Sequence, residues 1–301
     1  MGYYSAVVTS AGTSVETASA FLSVTNPAAP GRLINVATRG LVQPGGALTP
    51  GFVLRGTGTR QLVVRGVGPT LLRFGLGGSL ADPRFELAPL GGATLLTNDD
   101  WATGGSTLAA SSAAVGAFPL DPLSKDAAAF TTLTPTGNGT GYTVRVTGAT
   151  ATDSGIALAE IYDADPLTSP VQIVNVSTRG FVGTGANALV PGFVIGGSGP
   201  LQLLIRAVGP GLAPFGVTGL LTDPQLTVTP LGKDTPVATN DNWGGTATLT
   251  AAFAAAGAFA LPLDSKDAVV LLRLPPGAYT VTVSGVGGTT GTALVEIYEV
   301  P

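Results

Sequence analysis

Seven charged positions occur twice, at matching places in the two halves of the chain. They are Arg39 and Arg179, Arg65 and Arg206, Asp82 and Asp223, Asp99 and Asp241, Lys125 and Lys266, Asp126 and Asp267, and Glu160 and Glu296. Only 11% of the residues are charged, so charges kept in both copies are the first place to look for chemistry. Two carboxylates facing each other could do the acid and nucleophile work of a glycosidase. The other reading is ion pairing that holds strands and loops in place. Position favours the second. Arg65 lies in the apolar run Leu62-Val63-Val64-Arg65-Gly66-Val67, and Arg206 in Leu203-Leu204-Ile205-Arg206-Ala207-Val208. An arginine in a core strand needs a partner. The expected partners are Asp82 or Glu160 for Arg65, and Asp223 or Glu296 for Arg206.

A second polar group also comes twice. Asn98-Asp99-Asp100 precedes Trp101, and Asn240-Asp241-Asn242 precedes Trp243. Their oxygens could serve Ca²⁺, which takes six to eight, although the spacing is not that of an EF-hand. A tryptophan beside polar groups could also hold a sugar ring. The plainest reading is an Asx-turn followed by a tryptophan that covers the edge of the core. Ser124-Lys125 and Ser265-Lys266 do not make a dyad, because neighbours on a strand point to opposite faces. The glycine-rich Gly285–Gly291 is followed by no Lys-Ser/Thr and is no phosphate loop.

Several classes fall away on composition. The chain has no histidine and no cysteine, which excludes a Ser-His-Asp triad and the usual zinc sites within it. Lack of cysteine also avoids mispairing during export. Net charge is −4 with no basic run, so no nucleic-acid partner is expected. No signal peptide is visible at Met1-Gly2-Tyr3-Tyr4. The longest uncharged run of the second half, Asn242–Pro262, is Ala-rich and interrupted, so no membrane span is expected. No cofactor is expected apart from a possible Ca²⁺.

The elements that must position these residues are duplicated with them. Val64–Pro83 (VRGVGPTLLRFGLGGSLADP) returns 141 residues later as Ile205–Pro224 (IRAVGPGLAPFGVTGLLTDP). Around it Pro50-Gly51-Phe52-Val53 answers Pro191-Gly192-Phe193-Val194, and Gly116-Ala117-Phe118 answers Gly257-Ala258-Phe259. The chain is therefore a tandem duplication. With 44 Gly and 23 Pro in 301 residues and a mean hydropathy of +0.42, it reads as an all-β protein of many short strands. Expected strands in the first copy are 33–38, 52–55, 61–67, 85–89, 94–97, 127–133, 142–147 and 156–162. One short helix per copy is expected, at Ser106–Val115 and Thr246–Ala256. Eight strands per copy argue for a jelly-roll-like sandwich. The expected division is an N-terminal segment and linker over 1–28 and two β-sandwich repeats over 29–165 and 166–301.

The N-terminal residues Gly2, Tyr4, Val8, Gly12, Ala20, Leu22 and Val24 resemble the last two strands of a bacterial immunoglobulin-like domain. A lone hairpin is marginal in water and must pack on something. Strand addition to a neighbouring subunit through Tyr4, Val8, Ala20, Leu22 and Val24 would satisfy it, and repeated head to tail would build a filament. The second half of each repeat is similar to the bacterial pre-peptidase C-terminal domain. Asp223-Pro224, Leu226, Gly232, Asn240-Asp241, Pro276-Gly277, Tyr279-Thr280-Val281, Val283, Gly285 and Gly291 carry that likeness in the second copy. These resemblances imply an extracellular or cell-surface, non-catalytic module. The expectation is a structural protein of a bacterial fibre or adhesin, homo-oligomeric or filamentous. The alternative is a carbohydrate- or calcium-binding accessory module of a secreted enzyme, with a surface polysaccharide as partner.

Overall fold

The computed structural model describes residues 31–301 and four short strands before them. Those four are β1 (Gly2–Tyr4), β2 (Val7–Ser10), β3 (Thr13–Glu16) and β4 (Ala20–Leu22). β1 pairs with β4 and β2 with β3, both antiparallel, so each strand has its partner inside the segment. This amends the single hairpin expected from sequence, because two ladders are nested. Tyr4, Val8, Ala20 and Leu22 lie on these strands, and Val24 is outside the described residues.

The first repeat then runs β5 (Arg32–Val42), β6 (Thr49–Arg55), β7 (Arg60–Val67), β8 (Pro83–Pro89), β9 (Leu96–Asn98), α1 (Gly105–Ala114), β10 (Ala127–Leu133), β11 (Thr140–Gly148) and β12 (Gly155–Asp163). The second runs β13 (Gln172–Val182), β14 (Val190–Gly196), β15 (Leu201–Val208), β16 (Pro224–Pro230), β17 (Ala238–Asn240), α2 (Ala247–Ala256), β18 (Ala268–Leu274), β19 (Gly277–Gly285) and β20 (Gly291–Glu299). In the first repeat the strand orders are β5-β12-β7-β10 and β6-β11-β8-β9, all antiparallel. The second repeat has the same orders with the equivalent strands. Counted from one to eight, these are orders 1-8-3-6 and 2-7-4-5. Each repeat is thus an eight-stranded jelly roll with one α-helix.

Alternation along the strands explains the two faces. In β7, Leu62 and Val64 belong to the core between the sheets, while Val63 and Val67 belong to a smaller cluster on the outside. β7 is buried on both faces because α1 and its flanking loops cover the outer one, which is why its sequence reads as continuously apolar. β15 is buried in the same way beneath α2.

The repeats are fused edge to edge. β5 pairs with β14 over Arg32–Arg39, and β6 meets β13 at Leu54 and Arg55. Each sheet of one repeat therefore continues into the other repeat, and all sixteen strands join one network. At the junction β5 and β13 also touch in parallel register, Leu33 with Ile173 and Leu41 with Phe181. The hydroxyls of Thr38 and Thr178, both buried, lie 2.6 Å apart there. A Cβ on Gly40 would come within 2.9 Å of methyl carbons of Leu48 and Leu189, and one on Gly180 within 3.0 Å of Leu189. The glycines are what let these side chains close over the junction. A single core cluster runs from Leu33 in the first repeat to Ile297 in the second.

The end of the last strand ties back to the start of the first. Glu299 Oε1 accepts a 3.2 Å hydrogen bond from the backbone N–H of Leu33. Burial pushes the Glu299 carboxyl up to about 7, with the Leu33 bond, Arg32 and Arg55 pulling the other way. The folded value is raised, so the stability linked to this group is present at acid pH and lost as pH rises through about 7. The Glu299→Gln variant is therefore expected to lose less stability than the wild type between about pH 5 and about pH 8, by up to ~3 kcal/mol. Urea unfolding of both proteins at the two pH values checks this. A second expectation follows from the shared edges. Residues 166–301 expressed alone expose β13 and β14, and should aggregate or unfold unless residues 29–165 are supplied. Circular dichroism and sedimentation of the separate and mixed halves test it.

Candidate functional site

Two of the repeated charges, the arginine and the glutamate, meet on the outer face of each jelly roll, beneath the helix. Arg65 is fully buried, and its Nε lies 2.8 Å from Glu160 Oε2. The two strands place them directly opposite each other. Arg65 Nη1 donates to the Phe118 carbonyl oxygen at 2.7 Å, and Tyr162 Oη donates to Glu160 Oε1 at 2.7 Å. The Phe118 ring stands 4.3 Å from the guanidinium carbon. In the second repeat Arg206 Nε and Nη2 both donate to Glu296 Oε2, at 2.9 and 2.5 Å. Arg206 Nη1 donates to the Phe259 carbonyl oxygen, and Tyr298 Oη to Glu296 Oε1.

The partners are thus the two glutamates. Asp82 and Asp223, the other expected partners, are elsewhere. Asp82 sits on the half-exposed loop before β8, where its carbonyl oxygen accepts from Ala149 N–H. Asp223 pairs with Lys266. The physical reason is register: β12 and β20 place Glu160 and Glu296 directly opposite Arg65 and Arg206, while Asp82 and Asp223 lie on loops outside these ladders. Burial drives the Glu160 carboxyl above the ordinary range, opposed by Arg65 and by the Tyr162 hydroxyl. Burial drives the phenols of Tyr162 and Tyr298 well upward too, and the adjacent glutamates add to it.

A second pair of hubs holds the repeated Gly-Pro loops. Asp126 is fully buried and accepts from Gly68 N–H at 2.7 Å, from the N–H and hydroxyl of Thr70, and from Ser124 Oγ at 2.6 Å. Asp267 accepts from Gly209 N–H at 2.7 Å, Gly211 N–H at 3.0 Å and Ser265 Oγ at 2.6 Å. A Cβ on Gly68 or Gly209 would stand 2.0 Å from the carbonyl oxygen of Leu80 or Leu221, so only glycine fits. The serine of each Ser-Lys pair therefore serves the aspartate two residues on. The sequence carried this signal, a Gly-Pro and a Ser-x-Asp kept in both copies, but the two are 56 or more residues apart and nothing local joins them.

The oxygen-rich stretches are also absorbed by the fold. Asn98 Oδ1 accepts from Ala128 N–H at 2.8 Å, while Nδ2 donates to the Asp100 carbonyl and to Thr103 Oγ1. Asn240 Oδ1 accepts from Val269 N–H, and its Nδ2 donates to the Asn242 carbonyl. Asp100 is paired with Lys125. Asp99, Asp241 and Asn242 are exposed. Among the described residues, no three acidic side chains converge on a point that could hold a metal ion. The indole N–H groups of Trp101 and Trp243 donate to the carbonyls of Asp121 and Pro262, and the Trp243 ring is buried. Two buried charges were missed from sequence, Arg32 and Arg60. Arg60 is fully buried and pairs with Asp163, and burial lowers it to about 10. The second copy has Leu201 at that place, so a comparison of copies could not find it.

No protein-family model matches the chain, and no curated protein does. The resemblances to pre-peptidase C-terminal and immunoglobulin-like domains therefore gain no support. Among solved structures, 99% of the chain aligns to 88% of the tandem CBM51 modules of the family 98 glycoside hydrolase from Streptococcus pneumoniae SP3-BS71, at 8% identity and a TM-score of 0.25. At that level the likeness defines neither a family nor a ligand for this chain.

Two substitutions separate charge from mere bulk. Arg206→Met strands Glu296 in the core and should cost about 3–5 kcal/mol. Lys233→Met, at an exposed position, should cost less than about 0.5 kcal/mol. Asp267→Asn turns an amide N–H₂ toward the donors that hold the Gly209 loop and should cost about 2–3 kcal/mol. Denaturant unfolding of the three variants ranks them.

Proposed function

We propose that the chain is a non-enzymatic, load-bearing module of an exported bacterial surface protein. The observation that carries this is the continuity of both sheets across the repeats. β5 is hydrogen-bonded to β12 on one edge and to β14 on the other, and β20 to β13 and β15. Force entering at residue 31 and leaving at residue 301 meets strands paired on both sides. Neither repeat can open without breaking a sheet of the other. Two jelly rolls on a free linker would yield one after the other. Fused at the edges, they behave as one stiff unit of fixed geometry, which is what a stalk or fibre requires.

The non-catalytic part of the reading rests on consumption of the candidate groups. Four of the repeated carboxylates, Glu160, Glu296, Asp126 and Asp267, are buried against arginines or backbone N–H groups. The exported location fits a cysteine-free, weakly charged, glycine-rich β-protein. Residues 1–26, through Tyr4, Val8, Ala20, Leu22 and Val24, are the proposed route to filament formation by strand addition.

Stretching a single molecule from both ends is the direct test. One rupture event that releases both repeats together is expected, and two independent events would overturn the reading. Retention on an insoluble polysaccharide, lost on Trp101→Ala, would favour the accessory-module alternative. Light scattering of the chain with and without residues 1–26 tests the assembly route, and unchanged behaviour removes it.

A further inference from the structure

The two helix layers differ at one place. Counting from the shared Gly116/Gly257 and Asp126/Asp267, Ser112 of α1 stands where α2 has Phe253, and Ala128 of β10 stands where β18 has Val269. At both places the first repeat has the smaller side chain, and both residues line the same space. In the second repeat Phe253 is buried, with its ring 5.3 Å from that of Trp243 and 4.8 Å from the guanidinium carbon of Arg206. In the first repeat the corresponding space is a cavity of about 250 Å³. Arg65, Trp101, Leu108, Ser112, Phe118 and Ala128 are among its walls.

The cavity has a polar feature that its sister lacks. Arg65 is fully buried, yet its Nη2 has no hydrogen-bond partner in the protein. Its Nε touches Glu160 as an ion pair without hydrogen-bond alignment. Arg206, capped by Phe253, makes both bonds to its glutamate. Apolar cavities of about 150 Å³ in other proteins stay dry and admit benzene. Here the walls also offer a guanidinium face and an indole, the two surfaces that an aromatic ring prefers. We propose that the first repeat binds a single-ring aromatic molecule in this cavity, at the position that the Phe253 ring holds in the second. The site is independent of the load-bearing role and stands or falls separately.

The test uses phenol as the probe on the full chain. The two tryptophans give two indole N–H signals in a nitrogen–proton correlation spectrum, assigned with Trp243→Phe. Phenol is expected to shift the Trp101 signal saturably and to leave that of Trp243 in place. Cyclohexanol, of similar size without a π-face, should bind several-fold more weakly. Ser112→Phe rebuilds the sister side chain, and should abolish the phenol response while raising the thermal midpoint. Phe253→Ser should make the Trp243 signal respond. A Trp101 signal that ignores phenol in the wild type, cyclohexanol binding as tightly as phenol, or a response that survives Ser112→Phe would each overturn the proposal.

Discussion

A jelly roll leaves open strand edges, and the whole molecule follows from how two of them are closed. An exposed edge presents unpaired N–H and C=O groups to any passing strand. Here the edges that each repeat would expose at its first and second strands are given to the other repeat. The closure is symmetric, because the duplicated sequence supplies both halves of it. Thr38 meets Thr178, and Gly40 and Gly180 admit the same two leucine side chains. The two glycines lie inside strands, where β-branched and aromatic side chains are ordinarily favoured. Their cost in strand propensity is offset by a core that no longer stops at the repeat boundary.

Burial of the third and eighth strands on both faces sets the second constraint. Outward positions of β7 and β15 would be solvent-facing in a bare sandwich, and an arginine there would need no partner. The helix layer encloses them, so the charge must be matched from across the ladder. Glu160 and Glu296 sit in the register that does this, and the tyrosines two residues on occupy the remaining carboxylate oxygens. The Gly-Pro loops follow the same logic. They are pinned by a buried aspartate rather than by a ligand. Chemistry-bearing residue types recur in this chain because its architecture needs them.

Much of this was legible in the sequence. The duplication, the positions of the strands and both helices, and the need of Arg65 and Arg206 for a carboxylate all follow from pattern. Ala127–Leu133 was delimited to the residue, because alternation and turn signals agree there. The choice between Asp82 and Glu160 was not legible, since it depends on which strands become neighbours. The edge-to-edge fusion was hidden as well. The segment Ala164–Pro170 between the repeats carries two prolines and is equally compatible with separate modules, and the long first strand of each repeat gave no sign that its outer edge would pair. Arg60 shows the limit of reading by repetition, because a charge present in one copy looks like surface variation until Asp163 and the linker close over it.

Duplication with a shared interface also explains where the copies were free to part. Residues at the junction are held by contact with their own counterparts, so a change in one repeat disturbs both. The helix layers take no part in the strand pairing that joins the repeats. Divergence there is local, and it falls where Phe253 and Val269 answer Ser112 and Ala128. A drift toward smaller side chains in a packed layer normally costs stability in proportion to the cavity it leaves. The walls of this one are not those of a neutral defect. The arginine and the tryptophan that flank the Phe253 ring in the second repeat have their counterparts, Arg65 and Trp101, in the walls of the cavity of the first. Losing the ring while keeping its binding surfaces is the pattern that a site for an external ring would leave.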